Sequence, residues 1–401
     1  MIEGFETARV EVEDFRRRAL IVGVVALIVG LVGALISSES REQFFRSYLL
    51  GFIFWLAIPL GCFAILMLQH MSGGVWGLVT RRVLESATRT FPLLALLFIP
   101  LLFGLKSIFP WASPERLAAS PALSRAVEEK HIYLNTGFFI GRAVFYFLVW
   151  ILITLALNRW SAEQDRTGER RITNKLQGLS GPGLVLYGLT VTFAAVDWAM
   201  SLDPQWFSTI YGMLFMGGQG LAGMAFVIAV MVLLSQRKPM NAVIKPSHLH
   251  DLGKLMLAFL MIWAYFAFSQ FLIIWAGNLP EEIPFYVRRI QSSWKYVGIG
   301  LIVLHFFLPF VLLLSKDLKR NSRLLSTVAI GVIAMRFVDL IWLTGPELHN
   351  GVFSLSWMDF ILPIGIGGLW LWFFATQLKS RPLLPIHDPE IESVFASGHE
   401  H

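Results

Sequence analysis

The sequence has a single cysteine, Cys62, and this scarcity excludes several kinds of redox protein. One thiol cannot form a disulfide within the chain, and it cannot supply the thiolates that hold an iron–sulfur cluster. A Cys-x-x-Cys-His motif is also missing, which excludes covalently attached haem. We therefore expect no catalytic residue, metal site or redox cofactor on this chain itself.

Charged residues are also scarce, at 15% of a 401-residue chain that is 56% hydrophobic. Soluble proteins average about 25% charged residues, and the apolar runs here are long enough to cross a bilayer as helices. They are too long for the strands of a membrane barrel, and they show no alternation. The sequence predicts an all-α integral membrane protein. Its net charge of +6 is typical of basic loops, so we expect lipids rather than nucleic acid as partners.

The apolar runs predict ten transmembrane helices, which we number spans 1 to 10. Their predicted bounds are 19–36, 47–69, 88–109, 136–158, 180–201, 208–235, 252–276, 292–315, 323–343 and 357–378. The first run is full length and lacks a good cleavage site after it, so we expect it to be retained rather than removed as a signal peptide. The predicted parts are an N-terminal segment 1–18, a transmembrane domain 19–378 and a tail 379–401.

The basic residues of the loops predict the orientation of the chain. An even number of spans puts both ends on one side, and the loops on that side hold about 20 Lys and Arg, against about 8 on the other. This bias predicts cytoplasmic ends, and the tail is expected to dock on a partner or stay mobile. On the outer side, loop 202–207 is so short that spans 5 and 6 are predicted to form a tight hairpin.

Two similar stretches suggest an internal duplication. AVDWAMSLDP closes span 5, and FVDLIWLTGP closes span 9 four helices later. Each has an aspartate, a nearby tryptophan and a following proline. This spacing predicts two four-helix bundles, spans 2–5 and spans 6–9, with spans 1 and 10 at the periphery.

Two aspartates near the end of span 5 have different expected roles. Asp203 precedes Pro204, a pair that is typical of a helix start, with aspartate as N-cap. Asp197 lies inside the apolar run, where an acid is costly and usually faces the bundle interior. It is either a proton-handling acid beside a quinol or one half of a structural salt bridge. Both aspartates are candidates for a proton path.

Spans 8 and 9 supply three more candidates. Arg336 and Asp339 are three residues apart and share one helix face. They form either a self-neutralising pair, or a site where Arg336 also holds Asp197 or a buried water chain across the helix interface. His305 is near the middle of span 8, where it is either a proton relay or a hydrogen-bonded structural residue. The only other histidine near a span, His70, is at its cytoplasmic edge, so a haem held by two histidines is excluded.

Near the cytoplasmic side, Glu85 and Lys254 are further candidates for a proton path, or for hydrogen bonds between helices. Two other patterns have ordinary explanations. The stretch 218–223 matches G-x-G-x-x-G, but it lies inside a span, where small residues let helices approach closely. Asp251 follows two histidines and is predicted to cap the start of span 7 rather than to bind a metal.

Three stretches together resemble a known family: KHIYLNTGFFIGR at 130–142, DWAMSLDPQWFSTIYG at 197–212 and RFVDLIWLTGPE at 336–347. They are similar to the F subunit of bacterial alternative complex III, a quinol:electron-acceptor oxidoreductase. The resemblance covers roughly residues 20–378.

The resemblance implies ten transmembrane helices in two four-helix bundles, related to the NrfD/polysulfide-reductase membrane subunits. It implies a bacterial inner-membrane location and a homologous C subunit as neighbour, with haem c and iron–sulfur clusters on partner subunits. Menaquinol or another quinol is then expected nearby. The implied role is structural, with a candidate proton-conducting function at Asp197, Asp203, Arg336 and Asp339. His305 is added from its depth alone.

Two other functions fit the same composition. The chain is alternatively a quinol-binding subunit in its own right, with Asp197 accepting the quinol proton. A secondary transporter is a further alternative, but such sites need helices broken at the midplane at equivalent positions of the repeats. Pro59 and Pro309 do not fall at equivalent helices.

Overall fold

A computed structural model describes residues 9–236, 240–349, 351–385 and 388. Within these residues the regular elements are helices, and ten of them are long and apolar enough to cross a membrane. The chain is therefore an all-α, multi-pass membrane protein, as the sequence predicts. The spans are Glu13–Ala34, Ser38–Ser72, Val75–Phe103, Thr136–Thr167, Arg170–Leu202, Tyr211–Ser235, Pro246–Gly277, Trp294–Leu314, Ser322–Leu348 and Met358–Lys379.

Several helices are longer than their apolar runs. The predicted loop 70–87 is mostly a helix, Val75–Thr88, which is followed by Phe91–Phe103 to complete span 3. Span 4 likewise continues to Thr167, and only the two residues Gly168 and Glu169 separate it from span 5. Among the charged side chains of these extensions, Arg81, Arg82 and Glu85 are buried and paired with one another, which the loop-like composition does not reveal.

Spans 2 and 6 form the centre of the protein and pack directly on each other. The apolar windows of these two helices are 78% and 83% buried. Their backbones touch at two glycines: a Cβ on Gly61 would lie 1.8 Å from the Gln219 carbonyl oxygen, and one on Gly223 would lie 2.7 Å from the Cys62 nitrogen. The glycine-rich stretch of span 6 is therefore a helix-packing surface, as predicted.

The remaining spans group around this central pair. Span 2 packs on spans 3 and 5, and span 4 packs on spans 3 and 5. Span 6 packs on spans 7 and 9, and span 8 contacts both of these. Spans 1 and 10 pack on each other and on span 2. This arrangement matches the predicted bundles of spans 2–5 and 6–9 with two peripheral helices.

The ends of the first and last spans meet, because Lys379 forms an ion pair with Glu13. We call this end of the bundle the terminus side, and the other end the opposite side. The tail does not leave the protein at once: Leu383 and Leu384 are buried, and the Arg381 guanidinium donates to the Asn158 carbonyl at 3.0 Å. The rest of the tail beyond Pro385, except Asp388, lies outside the described residues.

The opposite side carries two connections that differ from the predicted ones. The loop 106–135 contains the helices Pro114–Ala119 and Pro121–Glu129. Span 5 ends in a short 3-10 helix, Met200–Leu202, which is followed by irregular chain up to Tyr211. Spans 5 and 6 pack on each other as the predicted helical hairpin, but their connection is 203–210 rather than 202–207, because span 6 begins at Tyr211.

Candidate functional site: buried ionisable groups at both ends of the bundle

Asp197 is 1% exposed and pairs with a cation on the neighbouring span. Arg142 of span 4 donates from Nε and Nη2 to the two carboxylate oxygens, at 2.9 and 2.8 Å. The Tyr146 hydroxyl donates to the same carboxylate at 2.8 Å. Two parallel contacts from one guanidinium form the strongest class of side-chain ion pair. The carboxyl therefore faces protein rather than lipid.

The guanidinium of this pair is itself held from the loop that precedes span 4. It donates to the Tyr133 carbonyl at 3.0 Å. Its carbon lies 3.8 Å from the centre of the Tyr133 ring and 4.3 Å from that of Phe138. Burial, together with the nearby Asp197, raises the pKa of Tyr133, so its hydroxyl stays protonated. Arg142 is thus enclosed by a carboxylate and two aromatic faces.

This geometry separates the two hypotheses for Asp197. It supports the structural salt bridge, because both carboxylate oxygens already accept hydrogen bonds from Arg142 and Tyr146. An arriving proton would have to break the bidentate contact. The expectation that Arg336 also holds Asp197 is wrong, since Arg336 pairs with Asp339 instead.

Asp203 does not cap a helix, because span 6 begins only at Tyr211. Its side chain accepts from the Gln205 backbone N–H at 3.2 Å, which closes a local turn. It also forms an ion pair with Arg288, in the short helix before span 8. Asp203 is therefore a partly buried residue of the opposite side that ties two connections together.

Arg336 and Asp339 form an ion pair on span 9, and both are at least nine-tenths buried. The Trp263 indole N–H donates to the Asp339 carboxylate at 3.3 Å. The guanidinium lies against span 6, where a Cβ on Gly218 would come within 2.0 Å of its Nη2 atom. Only a glycine at 218 leaves room for this side chain.

His305 is the neighbour of this pair on span 8. Its ring is 0% exposed, and its centre lies 4.3 Å from that of Trp263, edge to face. Among the described residues, neither ring nitrogen has a hydrogen-bond partner. The helix has π geometry at Leu301–Phe307, a local distortion that is frequent at functional sites. The His305 imidazole, whose nitrogens have no partner among the described residues, thus contacts the Trp263 indole that donates to the Asp339 carboxylate.

Glu85 forms the corresponding cluster on the terminus side. It is 1% exposed and accepts from Arg81 at 3.2 Å, from Arg82 at 2.7 Å and from the Ser161 hydroxyl at 2.5 Å. Arg82 also pairs with Asp165 of span 4. Arg81 also pairs with a tail residue, Asp388, at 2.7 Å. Arg381 of the tail lies 3.6 Å from the Glu85 carboxylate, so three arginines and three carboxylates neutralise one another in this cluster.

A cavity of about 70 Å³ adjoins this cluster, lined in part by Gln69, His70, Arg81 and Asp388. About 10–15 Å³ suffices for one water, so the cavity has room for several. The Ser180 hydroxyl donates to a backbone carbonyl at 2.7 Å, so it accepts from His70 Nδ1 at 3.1 Å. Nε2 of the neutral ring is then an acceptor without a partner among the described residues.

Lys254 belongs to neither cluster. Its side chain is 56% exposed, and its ammonium pairs with Asp251 at 3.1 Å. Asp251 does not cap span 7, which starts five residues earlier at Pro246. The structure therefore places Lys254 on the surface, away from the buried groups.

The seven sequence candidates thus fall into separate places. Arg336, Asp339 and His305 lie together, whereas Glu85 lies at the other end of the bundle, and Asp197 has its own partners. The sequence did not reveal the partners themselves. Further buried groups that it missed are Arg81, Arg82, Tyr146, Arg289 with Glu347, and Asp359 with Ser47. Only the spacing of the two arginines from Glu85, at three and four residues, offered a signal.

The chemistry available in these clusters is acid–base chemistry. In the part of the chain that the structure describes, no group of three or more His, Cys, Asp or Glu side chains is arranged to hold a metal. A second cavity, of about 20 Å³, lies between spans 2, 5 and 6 beside Gln219. It accommodates about one water.

Comparison with known proteins adds no assignment to this geometry. No protein-family model matches the chain, and no curated protein matches it either.

Proposed function

We propose that this chain is a membrane subunit of a quinol-oxidising electron-transfer complex of the alternative complex III type, carrying no redox centre itself. The observation that supports this best is where the three family-like stretches lie. They contain Arg142, Asp197, Arg336 and Asp339, which form one buried ion pair in each of the two bundles. The stretches that resemble the family thus contain residues whose replacement would leave a buried charge without its partner.

The proposed setting follows from the resemblance and from the loop charges. The terminus side faces the cytoplasm of a bacterium, and the partners are the other subunits, above all the homologous C subunit. Haem c, iron–sulfur clusters and the quinol belong to those partners. Only 22–28% of the apolar windows of spans 1, 7 and 8 is buried. The many exposed apolar side chains of these spans are available for lipid and for neighbouring subunits.

The proposed role has a structural part and a proton-conducting part. The Arg142–Asp197 pair joins spans 4 and 5 and is assigned to structure. The proton-conducting part rests on His305 and Asp339, because both ring nitrogens of His305 lack a hydrogen-bond partner among the described residues and its ring contacts the indole that donates to Asp339. On the terminus side, the cavity beside the Glu85 cluster offers space for water.

The structure gives less support to the two alternatives, a quinol-binding subunit and a secondary transporter. A quinone pocket is expected to enclose about 300–1,000 Å³, whereas the two cavities described above have about 70 and 20 Å³. Asp197 also has no free carboxylate oxygen for a quinol proton. Against a transporter, span 2 is one continuous helix through Pro59.

Purification from the native membrane in mild detergent tests the proposal. An affinity tag on this chain should bring down subunits with the absorbance of haem c and the paramagnetic signals of reduced iron–sulfur clusters. Quinol-dependent reduction of an acceptor should co-purify. Isolation of the chain alone, without haem or cluster, under conditions that preserve other respiratory complexes would contradict it.

A further inference from the structure

The terminus side of spans 7 to 9 carries a group of cations that differs from the Glu85 cluster. We call it the basic patch, and it consists of Lys254, Lys316, Lys319, Arg320 and Arg323. Spans 7 and 8 approach each other here, because the helix Lys316–Arg320 packs on span 7. In the Glu85 cluster each arginine meets carboxylates. In the basic patch the described residues give only one ion pair, Lys254 with Asp251.

Lys319 is the central residue of this patch. The residue is only 6% exposed, because its stem lies on span 7: a Cβ on Gly253 would lie 2.7 Å from Lys319 Cγ. Burial and the nearby Lys254 lower the pKa of Lys319. Among the described residues, no carboxylate forms an ion pair with its ammonium. The stem is thus fixed by packing while the charge is left for a group outside the chain.

An apolar stripe leads from the membrane to this patch. Four side chains of span 8, each about half exposed or more, recur at helical spacing on one face: Leu304, Leu308, Val311 and Leu314. The last of them is two residues from Lys316, where the basic patch begins. A cationic patch at the end of a membrane-facing apolar stripe is complementary to a molecule with an anionic head and hydrocarbon chains.

We propose that the basic patch binds the phosphate headgroup of an anionic phospholipid, whose acyl chains lie along the apolar stripe of span 8. Basic groups between helices at the cytoplasmic side are known to bind such headgroups. An acidic protein segment would satisfy the charges, but it would leave the stripe without a partner. This inference concerns lipid binding and does not depend on the proposed electron-transfer complex.

The test compares lipids and variants on the purified full chain. Phosphatidylglycerol or cardiolipin is titrated into detergent-solubilised protein, and binding is followed by native mass spectrometry and by the thermal midpoint. Lys319→Met keeps the buried stem but removes the charge, and it should weaken binding about fivefold, since one Lys or Arg contributes about 1 kcal/mol to such attraction. Lys175→Met is the control, because that lysine is on the terminus side but in the other bundle.

The expected result is retention and stabilisation by the anionic lipids, not by phosphatidylcholine, with wild type and Lys175→Met alike. If Lys319→Met fails to fold, Arg320→Gln on the exposed rim provides the same measurement. Equal retention of anionic lipid by variant and wild type would overturn the proposal. Full stabilisation by inorganic phosphate, or by a polyglutamate peptide, would also overturn it, in favour of a free anion or an acidic protein.

Discussion

Replacement of Asp197 by asparagine perturbs the buried ion pair between spans 4 and 5. Asparagine has nearly the same shape but cannot neutralise Arg142, whose side chain is 9% exposed. Removal of one partner from a buried pair costs about 3–5 kcal/mol, because the other charge remains without compensation. We therefore expect Asp197→Asn to lower the yield of folded protein and its thermal midpoint, rather than to slow turnover selectively.

Two further variants make this prediction sharper. Asp203→Asn breaks the ion pair with Arg288, which is 38% exposed, so its cost should stay within about 1 kcal/mol. The double variant Asp197→Asn/Arg142→Gln removes both charges and should cost less than the sum of the two single changes. The assay is thermal unfolding of detergent-purified protein, followed by tryptophan fluorescence. A full thermal midpoint for Asp197→Asn, together with lost quinol turnover in an assembled complex, would refute the structural role.

The other predictions concern the centre, the terminus side and the tail. Gly223→Ala should destabilise the protein by about 1–3 kcal/mol through overpacking, whereas Gly331→Ala, whose Cβ would meet nothing within 4 Å, should be neutral or slightly stabilising in the same thermal assay. Glu85→Gln should destabilise the fold by about 3–5 kcal/mol, because the buried Arg81 and Arg82 lose their carboxylate partner. The folded yield should fall accordingly, and an unchanged thermal midpoint would contradict this. Leu384→Asp should release the docked tail and speed tryptic cleavage after Lys379, seen by mass spectrometry, since Arg381 precedes Pro382 and is not a tryptic site; cleavage at the wild-type rate would show that the tail is not held there.

The sequence predicted the number and grouping of the helices because both depend on simple quantities. Span number follows from the length of apolar runs, and the glycine-rich surface of span 6 follows from the need for close helix approach. Element ends were less predictable. Helix Val75–Thr88 looks like a loop in composition, but its charges pair with one another, with span 4 and with the tail.

The partners of the buried acids could not be read from the sequence. Asp197 and Arg142 are 55 residues apart, and they meet only because of how spans 4 and 5 are rotated about their axes. The Arg336–Asp339 pair is local, at three residues, and was therefore predictable. His305 was singled out by depth, but the π geometry that surrounds it leaves no mark in composition.

The measurement that separates a proton path from a scaffold most directly is proton transfer by the intact complex carrying His305→Phe. Phenylalanine keeps the edge-to-face contact with Trp263, and no protein hydrogen bond is lost, since neither ring nitrogen has a partner among the described residues. The variant should therefore assemble with the wild-type thermal midpoint, and Phe306→Leu is its control in the same helix. In proteoliposomes, we expect fewer protons transferred per quinol oxidised than in wild type and in the control. An unchanged ratio in the assembled variant, or no proton transfer by wild type, would contradict a proton path through His305.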